Sequence, residues 1–229
     1  MKITYLCHSG YAAEVDDRVL IFDYYEGTLP EFAETAKLYV FASHVHPDHF
    51  QKHIFEWERD FREIHYILSD DIEVKGPEGR CTYIGPRKEI FLDGMKIRTL
   101  RSTDEGVAFL VRVGERTIYH AGDLNWWHWE EESDEYNEMM RRRFQYEIGR
   151  IEGESIDVAF LPLDPRQEEQ YALGFDYFMR HTRTGCAFPM HLWGKYETCD
   201  RLAADSISEP YRDRVMRVRN QQQVFETDG

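Results

Sequence analysis

An α/β sandwich, two β-sheets packed face to face with helices outside, is the fold class this sequence predicts. Three observations carry it. The first 23 residues break into short β-type runs separated by turn residues. The stretch from Cys81 to His120 repeats that pattern. The second half then alternates helical periodicity with apolar, strand-like runs, which is the signature of layered α/β architecture. The 229 residues suit a single domain spanning 1–229.

The elements follow in order. Lys2 to Leu6, Tyr11 to Val15 and Arg18 to Phe22 read as strands parted by "HSG" and "DD". Tyr39 to Ser43 is a fourth. Phe50, Ile54, Trp57 and Phe61 recur at helical spacing and predict a helix over about 50–61. "IHYILS" at 64–69 is a further strand. Asp93-Gly94 marks a hairpin turn between Ile90–Leu92 and Lys96–Leu100. Val107–Val113 and Thr117–His120 pair across Gly114-Glu115-Arg116. Tyr136, Met140, Phe144, Ile148 and Ile151 share one face of a long helix. "IDVAFLPLD" is a strand, about 168–181 a helix, and "GCAFPMH" a strand ending in His191. A helix near 199–207 and a last strand near 214–219 complete the chain.

Composition narrows the function. The net charge of -15 argues against general binding to nucleic acid backbones, which needs a positive footprint. Cys7, Cys81, Cys186 and Cys199 are scattered, with no CxxC pair, and read as free thiols. The N-terminus lacks a long apolar segment, and no run approaches the ~20 apolar residues of a membrane span. A cytoplasmic location without membrane attachment is the default expectation.

"HVHPDH" follows the apolar run Tyr39-Val40-Phe41-Ala42 and holds three of the ten histidines. His44 and His46 are two apart, so on an extended chain their side chains point the same way. A turn after Pro47 brings Asp48 and His49 round to them. Imidazoles with a carboxylate suit zinc, iron or manganese. Two further ligand-type residues stand at the ends of apolar strands: Asp123 after "TIYHAG" and His191 after "CAFPM".

"HVHPDH", "YHAGD" and "PMH", in this order and at this spacing, resemble the metallo-β-lactamase superfamily, whose first motif is HxHxDH. The resemblance implies a four-layer αββα sandwich with a mono- or dinuclear metal site. It implies His44 and His46 as ligands of a first metal. Asp48, His49 and His191 become ligands of a second, with Asp123 as the bridging carboxylate. The compact length is most similar to the UlaG-type branch of lactonases and other hydrolases. One departure stands out. The family supplies another histidine between the first motif and the bridging aspartate, yet no histidine lies between His65 and His120. Asp104, in "STDEG", is the strong ligand type in that stretch and is expected to fill the place. His120 is expected not to be a ligand. His8, within reach of the rim, reads as an ordinary surface histidine.

The implied cofactor is one or two divalent ions, zinc first, with manganese and iron admitted. A metal lowers the pKa of bound water from about 15.7 to near 7. The implied reaction is hydrolysis of a small ester, lactone or phosphoester, with Asp48 as the catalytic residue. An inactive metal-binding sensor or scaffold of the same fold is the alternative, supported by the missing histidine. Around the site, Trp126 and Trp127 are candidate pocket walls, and Arg166 is a candidate grip for a substrate anion. The partner is a small-molecule substrate; the sequence assigns no oligomeric state.

Overall fold

The computed structural model describes residues 1–227. Turn residues cut the start of the chain into β1 (Lys2–Tyr5), β2 (Tyr11–Val15) and β3 (Arg18–Phe22), joined as antiparallel neighbours. Next come β4 (Lys37–Ala42), β5 (Ile64–Ser69) and β6 (Cys81–Ile84), each parallel to its predecessor. A second sheet starts with β7 (Glu89–Leu92), β8 (Met95–Arg101), β9 (Val107–Val113) and β10 (Arg116–His120), all antiparallel. After helix α1 (Asp134–Gly149) it gains β11 (Ser155–Pro162). After α2 (Leu173–His181) it gains β12 (Arg183–Met190). Helix α3 (Glu197–Ala204) precedes β13 (Val224–Glu226). The sheet orders are β13-β1-β2-β3-β4-β5-β6 and β12-β11-β10-β9-β8-β7.

Period-two alternation decides which face each residue buries. In β3, Leu20 and Phe22 join the core between the sheets, whereas Val19 and Ile21 face the other way with Leu38, Val40, Tyr66 and Leu68. Tyr11 stacks on Phe160 across the sheets at 4.3 Å. Helices α1 and α2 cover the outside of the second sheet: Phe144, Ile148 and Phe178 are buried, and Phe178 stacks on Tyr119 of β10 at 4.6 Å. Ser133 caps α1 by accepting from the Tyr136 N–H, and Asp134 and Glu135 sit favourably in its first turn. This is the α/β sandwich the pattern predicts, in the αββα layering the resemblance implies. Among the described residues, no helix is long and apolar enough to cross a membrane.

Three expectations need correction. The segment expected as a helix over 50–61 is a 3-10 helix, Lys52–Arg59; Gln51 at its start makes no side-chain cap, and no acidic residue occupies its first turn. The helix expected at 168–181 begins only at Leu173, after a 3-10 turn at Pro165–Gln170 whose Glu168 leaves helical geometry at φ 49°. The last strand expected at 214–219 does not form. Val215 makes one bridge to Ala187 and Val218 is buried, so the apolar alternation reports real packing, but the closing strand is β13, paired with β1.

Parallel pairing places the site. β10, β11 and β12 run parallel with His120 opposite Phe160 and Pro162 opposite Met190, so their C-terminal ends share one rim. β3 and β4 are parallel with Phe22 opposite Phe41, which sets Asp23 beside Ser43. The two rims meet through glycine. Gly106 has φ +68° and would place a Cβ 2.0 Å from the Ser43 carbonyl oxygen; Gly122 has φ +50° and would place one 2.6 Å from Ser43 Cβ. No other residue permits that approach.

Candidate metal centre

Strand ends deliver ligand-type side chains to this rim from both sheets. His8 follows β1. His44, His46, Asp48 and His49 follow β4. Asp104 lies between β8 and β9, Asp123 follows β10 and His191 follows β12. They fall into two groups whose ligand atoms lie within 4.8 Å of one another: a first group of His44, His46, Asp104 and Asp123, and a second group of His8, Asp48, His49 and His191.

The Asp123 carboxylate stands between the groups. Its Oδ1 is 3.3 Å from both His49 Nε2 and His191 Nε2, and its Oδ2 is 3.7 Å from His44 Nε2. His44 Nε2 is 3.0 Å from His46 Nδ1, and Asp104 Oδ2 is 3.7 Å from the same His46 nitrogen. Two nitrogens on one tetrahedral zinc, each at about 2.0–2.1 Å, stand roughly 3.3 Å apart. The observed separations therefore suit donors that share an ion.

Hydrogen bonds behind the site fix which imidazole nitrogen carries the proton. His49 Nδ1 donates to Asp23 Oδ2 at 2.6 Å and His191 Nδ1 donates to Asp164 Oδ2 at 2.9 Å. Ser43 Oγ donates to Asp23 Oδ2 at 2.6 Å, which leaves the hydroxyl to accept from His44 Nδ1 at 3.0 Å. Each of these rings thus presents Nε2 forward, the carboxylate–histidine arrangement typical of metal ligands. The forward atoms His8 Nε2, His49 Nε2, His191 Nε2 and Asp123 Oδ1 are buried without a hydrogen-bond partner. His8 Nε2 lies 3.2 Å from Asp48 Oδ2 but outside hydrogen-bond geometry. Four unpaired buried polar atoms converging on one point are costly unless a cation fills it.

Electrostatics agree. Burial works to raise the Asp123 carboxyl, yet His49 and His191 outweigh it and hold it well below the usual carboxylate range. Burial works against charge on His191, but Asp123 and Asp164 push it up to about 9. Burial, helped by His49, lowers His44 to about 4. Burial and the Asp123 carboxylate raise Asp104. His8, His191 and Trp193 (φ 53°, 64° and 52°) and Asp23 (φ 42°) all take left-handed backbone conformations, strain of the kind that gathers at functional sites.

A profile described as "Beta-lactamase superfamily domain" matches residues 2–139. The chain belongs to the β-lactamase superfamily. Among solved structures, it is similar to Igni18, a novel metallo hydrolase from Ignicoccus hospitalis (19% identity, 99% of each chain, TM-score 0.64). It is also similar to the metallo-β-lactamase fold protein YhfI from Bacillus subtilis (16% identity, 98% of this chain and 99% of that one, TM-score 0.64). CmlA, a diiron β-hydroxylase from Streptomyces venezuelae, matches at 11% identity and TM-score 0.62, and the chain spans 54% of its length. At these identities the likeness shows the metallo-β-lactamase fold. No curated protein sequence matches the chain.

Within this superfamily fold the motif residues His44, His46, Asp48, His49, Asp123 and His191 come together, and Asp104 joins them. His120 stays outside as expected: the Gly122 N–H donates to its Nδ1 and its Nε2 donates to the Ser9 carbonyl. His8 corrects the sequence reading. It is buried, with its ring 4.1 Å from that of His191, and belongs to the second group. Asp23 and Trp193 escaped sequence reasoning. Asp23, at the end of "VLIFD", carried only the signal of a strand-end carboxylate. Trp193 covers His8 at 4.6 Å between ring centres. Trp127 lies 5.7 Å from His191 and donates from Nε1 to the Asp123 carbonyl, whereas Trp126 packs towards Tyr177 of α2. Arg166 forks onto Asp164 and lies 4.4 Å from the Trp193 ring centre, so its guanidinium braces the carboxylate that holds His191.

Proposed function

We propose that the protein is a metal-dependent hydrolase that binds two divalent ions and cleaves a small ester, lactone or phosphoester. The observation that supports it best is the convergence of buried, unpaired Nε2 atoms on an aspartate shared by two ligand groups. His8, Asp48, His49 and His191 would hold one ion, and His44, His46 and Asp104 the other, with Asp123 reaching both. Igni18 is described as a metallo hydrolase, which favours the same chemistry here. Bound divalent ions lower the pKa of water toward neutrality and polarise a substrate oxygen.

This chain's residues do the rest. Asp48 has a quarter-exposed side chain, and His8 beside it keeps its carboxylate ionised against the opposing effect of burial. Its carboxylate oxygen not engaged with the ion would take a proton from the attacking water. Asp23 and Asp164 hold the imidazoles in their ligating tautomers. Trp127 and Trp193 wall the second group and restrict water around it. The sensor or scaffold alternative drew on the missing histidine; Asp104, with its Oδ2 3.7 Å from His46 Nδ1, would take that place. Zinc suits the histidine-rich second group; manganese or iron suits the carboxylate-bearing first. One domain over residues 1–229, of the UlaG-type branch, fits the short "YHAGD" and "PMH" strand ends.

The test is elemental analysis after reconstitution, joined to a panel of 4-nitrophenyl esters, lactones and bis(4-nitrophenyl) phosphate. Two equivalents of metal and chelator-sensitive turnover are expected. Stoichiometric metal surviving in a His46→Ala, His49→Ala double variant, or turnover untouched by chelator, would sink the reading.

A further inference from the structure

Hydrogen bonds within it and behind it hold the loop between β8 and β9, residues 102–106. The Ser102 N–H donates to the Gly106 carbonyl at 3.2 Å and closes the loop. The Asp104 N–H donates to Ser102 Oγ at 3.1 Å. Thr103 Oγ1 donates to the Asn125 carbonyl at 2.7 Å and accepts from the Asn125 N–H at 3.1 Å, which ties the loop to the segment after β10. Two adjacent carboxylates at the tip, Asp104 and Glu105, take no part in this framework.

Those two carboxylates bracket one imidazole. Asp104 Oδ2 is 3.7 Å from His46 Nδ1, and Glu105 Oε2 is 3.6 Å from His46 Nε2. Among the described residues, Glu105 has no Lys or Arg nitrogen within 4.0 Å, so its charge is not committed elsewhere. His44, His49 and His191 each have Nδ1 held from behind, by Ser43, Asp23 and Asp164. His46 is turned the other way. Its Nδ1 points into the site, 3.0 Å from His44 Nε2, and its Nε2 points out to Glu105. His44 Nε2 is a bare lone pair, because Nδ1 of that ring donates to Ser43 Oγ. His46 Nδ1 can donate to that lone pair, but the proton then sits on the nitrogen that a shared ion needs bare. The two uses of Nδ1 require opposite tautomers.

The geometry points to Glu105 as the positioning residue that keeps His46 in its ligating tautomer: the carboxylate accepts from Nε2–H and so leaves Nδ1 bare for the ion of the first group. This rests on the two-ion reading. With the proton on Nδ1, the Nε2 lone pair would face an anion, which is repulsive. With the proton on Nε2, the same contact becomes a charge-assisted hydrogen bond. The 3.6 Å separation exceeds such a bond by about half an ångström, a distance that a half-exposed glutamate closes by rotating its side chain. The loop would thus supply a ligand in Asp104 and the brace for a neighbouring ligand in Glu105. The hydrogen bonds that order residues 102–106 would then set the affinity of the first ion through both.

The experiment is zinc competition against a fluorescent chelator in the parent, Glu105→Ala and Glu105→Gln, with the step lost in His46→Gln taken as the first-group ion. Glu105→Ala should weaken that step by about threefold to tenfold, at the foot of the 10–100-fold range for such partners, because water competes at an exposed site. Glu105→Gln keeps a carbonyl oxygen that accepts from Nε2–H and should restore most of that loss. Nitrogen NMR of the His46 ring in the chelator-stripped protein at neutral pH, its signals assigned by their loss in His46→Gln, reads the tautomer without metal or turnover. The Nδ1–H form should gain in Glu105→Ala. Glu105 is exposed, so both variants should fold, and a melting curve checks it. Parental zinc affinity in Glu105→Ala, an unchanged His46 tautomer, or a Glu105→Gln protein as weak as Glu105→Ala would each overturn the inference, the last by showing that Glu105 acts as a charge alone. A parent that takes up fewer than two ions, or a His46→Gln protein that keeps both, would remove the two-ion reading and the inference with it. Two ions in the parent with no effect of Glu105→Ala would remove the inference alone.

Discussion

Asp23→Asn tests whether the carboxylate behind the site, and not just the residues in it, sets metal affinity. Asp23 accepts three hydrogen bonds: Ser43 N–H on Oδ1 at 2.7 Å, and Ser43 Oγ and His49 Nδ1 on Oδ2, both at 2.6 Å. Asparagine has the same shape but only one acceptor oxygen. If that oxygen serves the Ser43 N–H, the amide NH2 faces His49 Nδ1. The imidazole must then move its proton to Nε2, the atom that points at Asp123 and the metal. Loss of such a carboxylate typically costs 10–100-fold in metal affinity, about 1.4–2.7 kcal/mol. If the amide turns the other way, two N–H donors face each other in a fully buried site, which costs the fold about 1–3 kcal/mol. The assay is zinc competition against a fluorescent chelator, read alongside urea unfolding of the metal-free protein. The expected outcome is a second-group Kd raised at least about tenfold in a folded variant. A folded Asp23→Asn protein with parental zinc affinity refutes the tautomer reasoning.

Four further outcomes are expected. Asp104→Ala should weaken the first-group metal while Asp104→His tightens zinc there, checked by the same competition; parental affinity for both ions in Asp104→Ala would show that Asp104 ligates nothing. Asp48→Asn should keep its melting temperature in the metal-free form and lose at least about a hundredfold in turnover; turnover at the parental rate would give Asp48 no catalytic role. Gly106→Ala should destabilise by more than the about 1–3 kcal/mol of backbone strain alone, because its Cβ meets the Ser43 carbonyl at 2.0 Å; an unchanged urea midpoint would contradict this. Burial and nearby Glu58 push the Cys81 thiol up to about 11, so at pH 8 it carries roughly a hundredfold less thiolate than an ordinary cysteine; iodoacetamide labelling of the native protein followed by peptide mass analysis should find Cys81 slow at pH 8 and faster as pH rises toward 11.

The strands and the first motif were legible because their signals are local. The unbroken apolar runs in "RVLIF" and "KLYVFA" state strands buried on both faces, and four ligand-type residues in "HVHPDH" leave little room for an incidental reading. What escaped depends on distance. His8 stands alone in "CHSG" and becomes part of the site only because β1 ends on the same rim as β12, where the His191 N–H donates to the His8 carbonyl at 3.1 Å. Asp23 looks like any strand-ending carboxylate until parallel register sets it beside Ser43. The helix expected at 168–181 begins only at Leu173. Asp164 does cap the preceding turn, accepting from the Arg166 N–H at 2.8 Å, but its other oxygen holds His191. Asp164 thus serves a separate 3-10 turn and the site, and α2 starts after them.

The two ligand groups are built to different standards, and the difference carries a functional consequence. His49 and His191 are buried, with Nδ1 of each locked by a fully buried carboxylate. In the first group, His46 and Asp104 have side chains 42% and 47% exposed, and His46 Nε2 faces Glu105, itself exposed, at 3.6 Å. Rigid, desolvated donors favour tight and persistent binding, whereas mobile exposed donors exchange with water. The second group is therefore suited to a resident ion and the first to an exchangeable one.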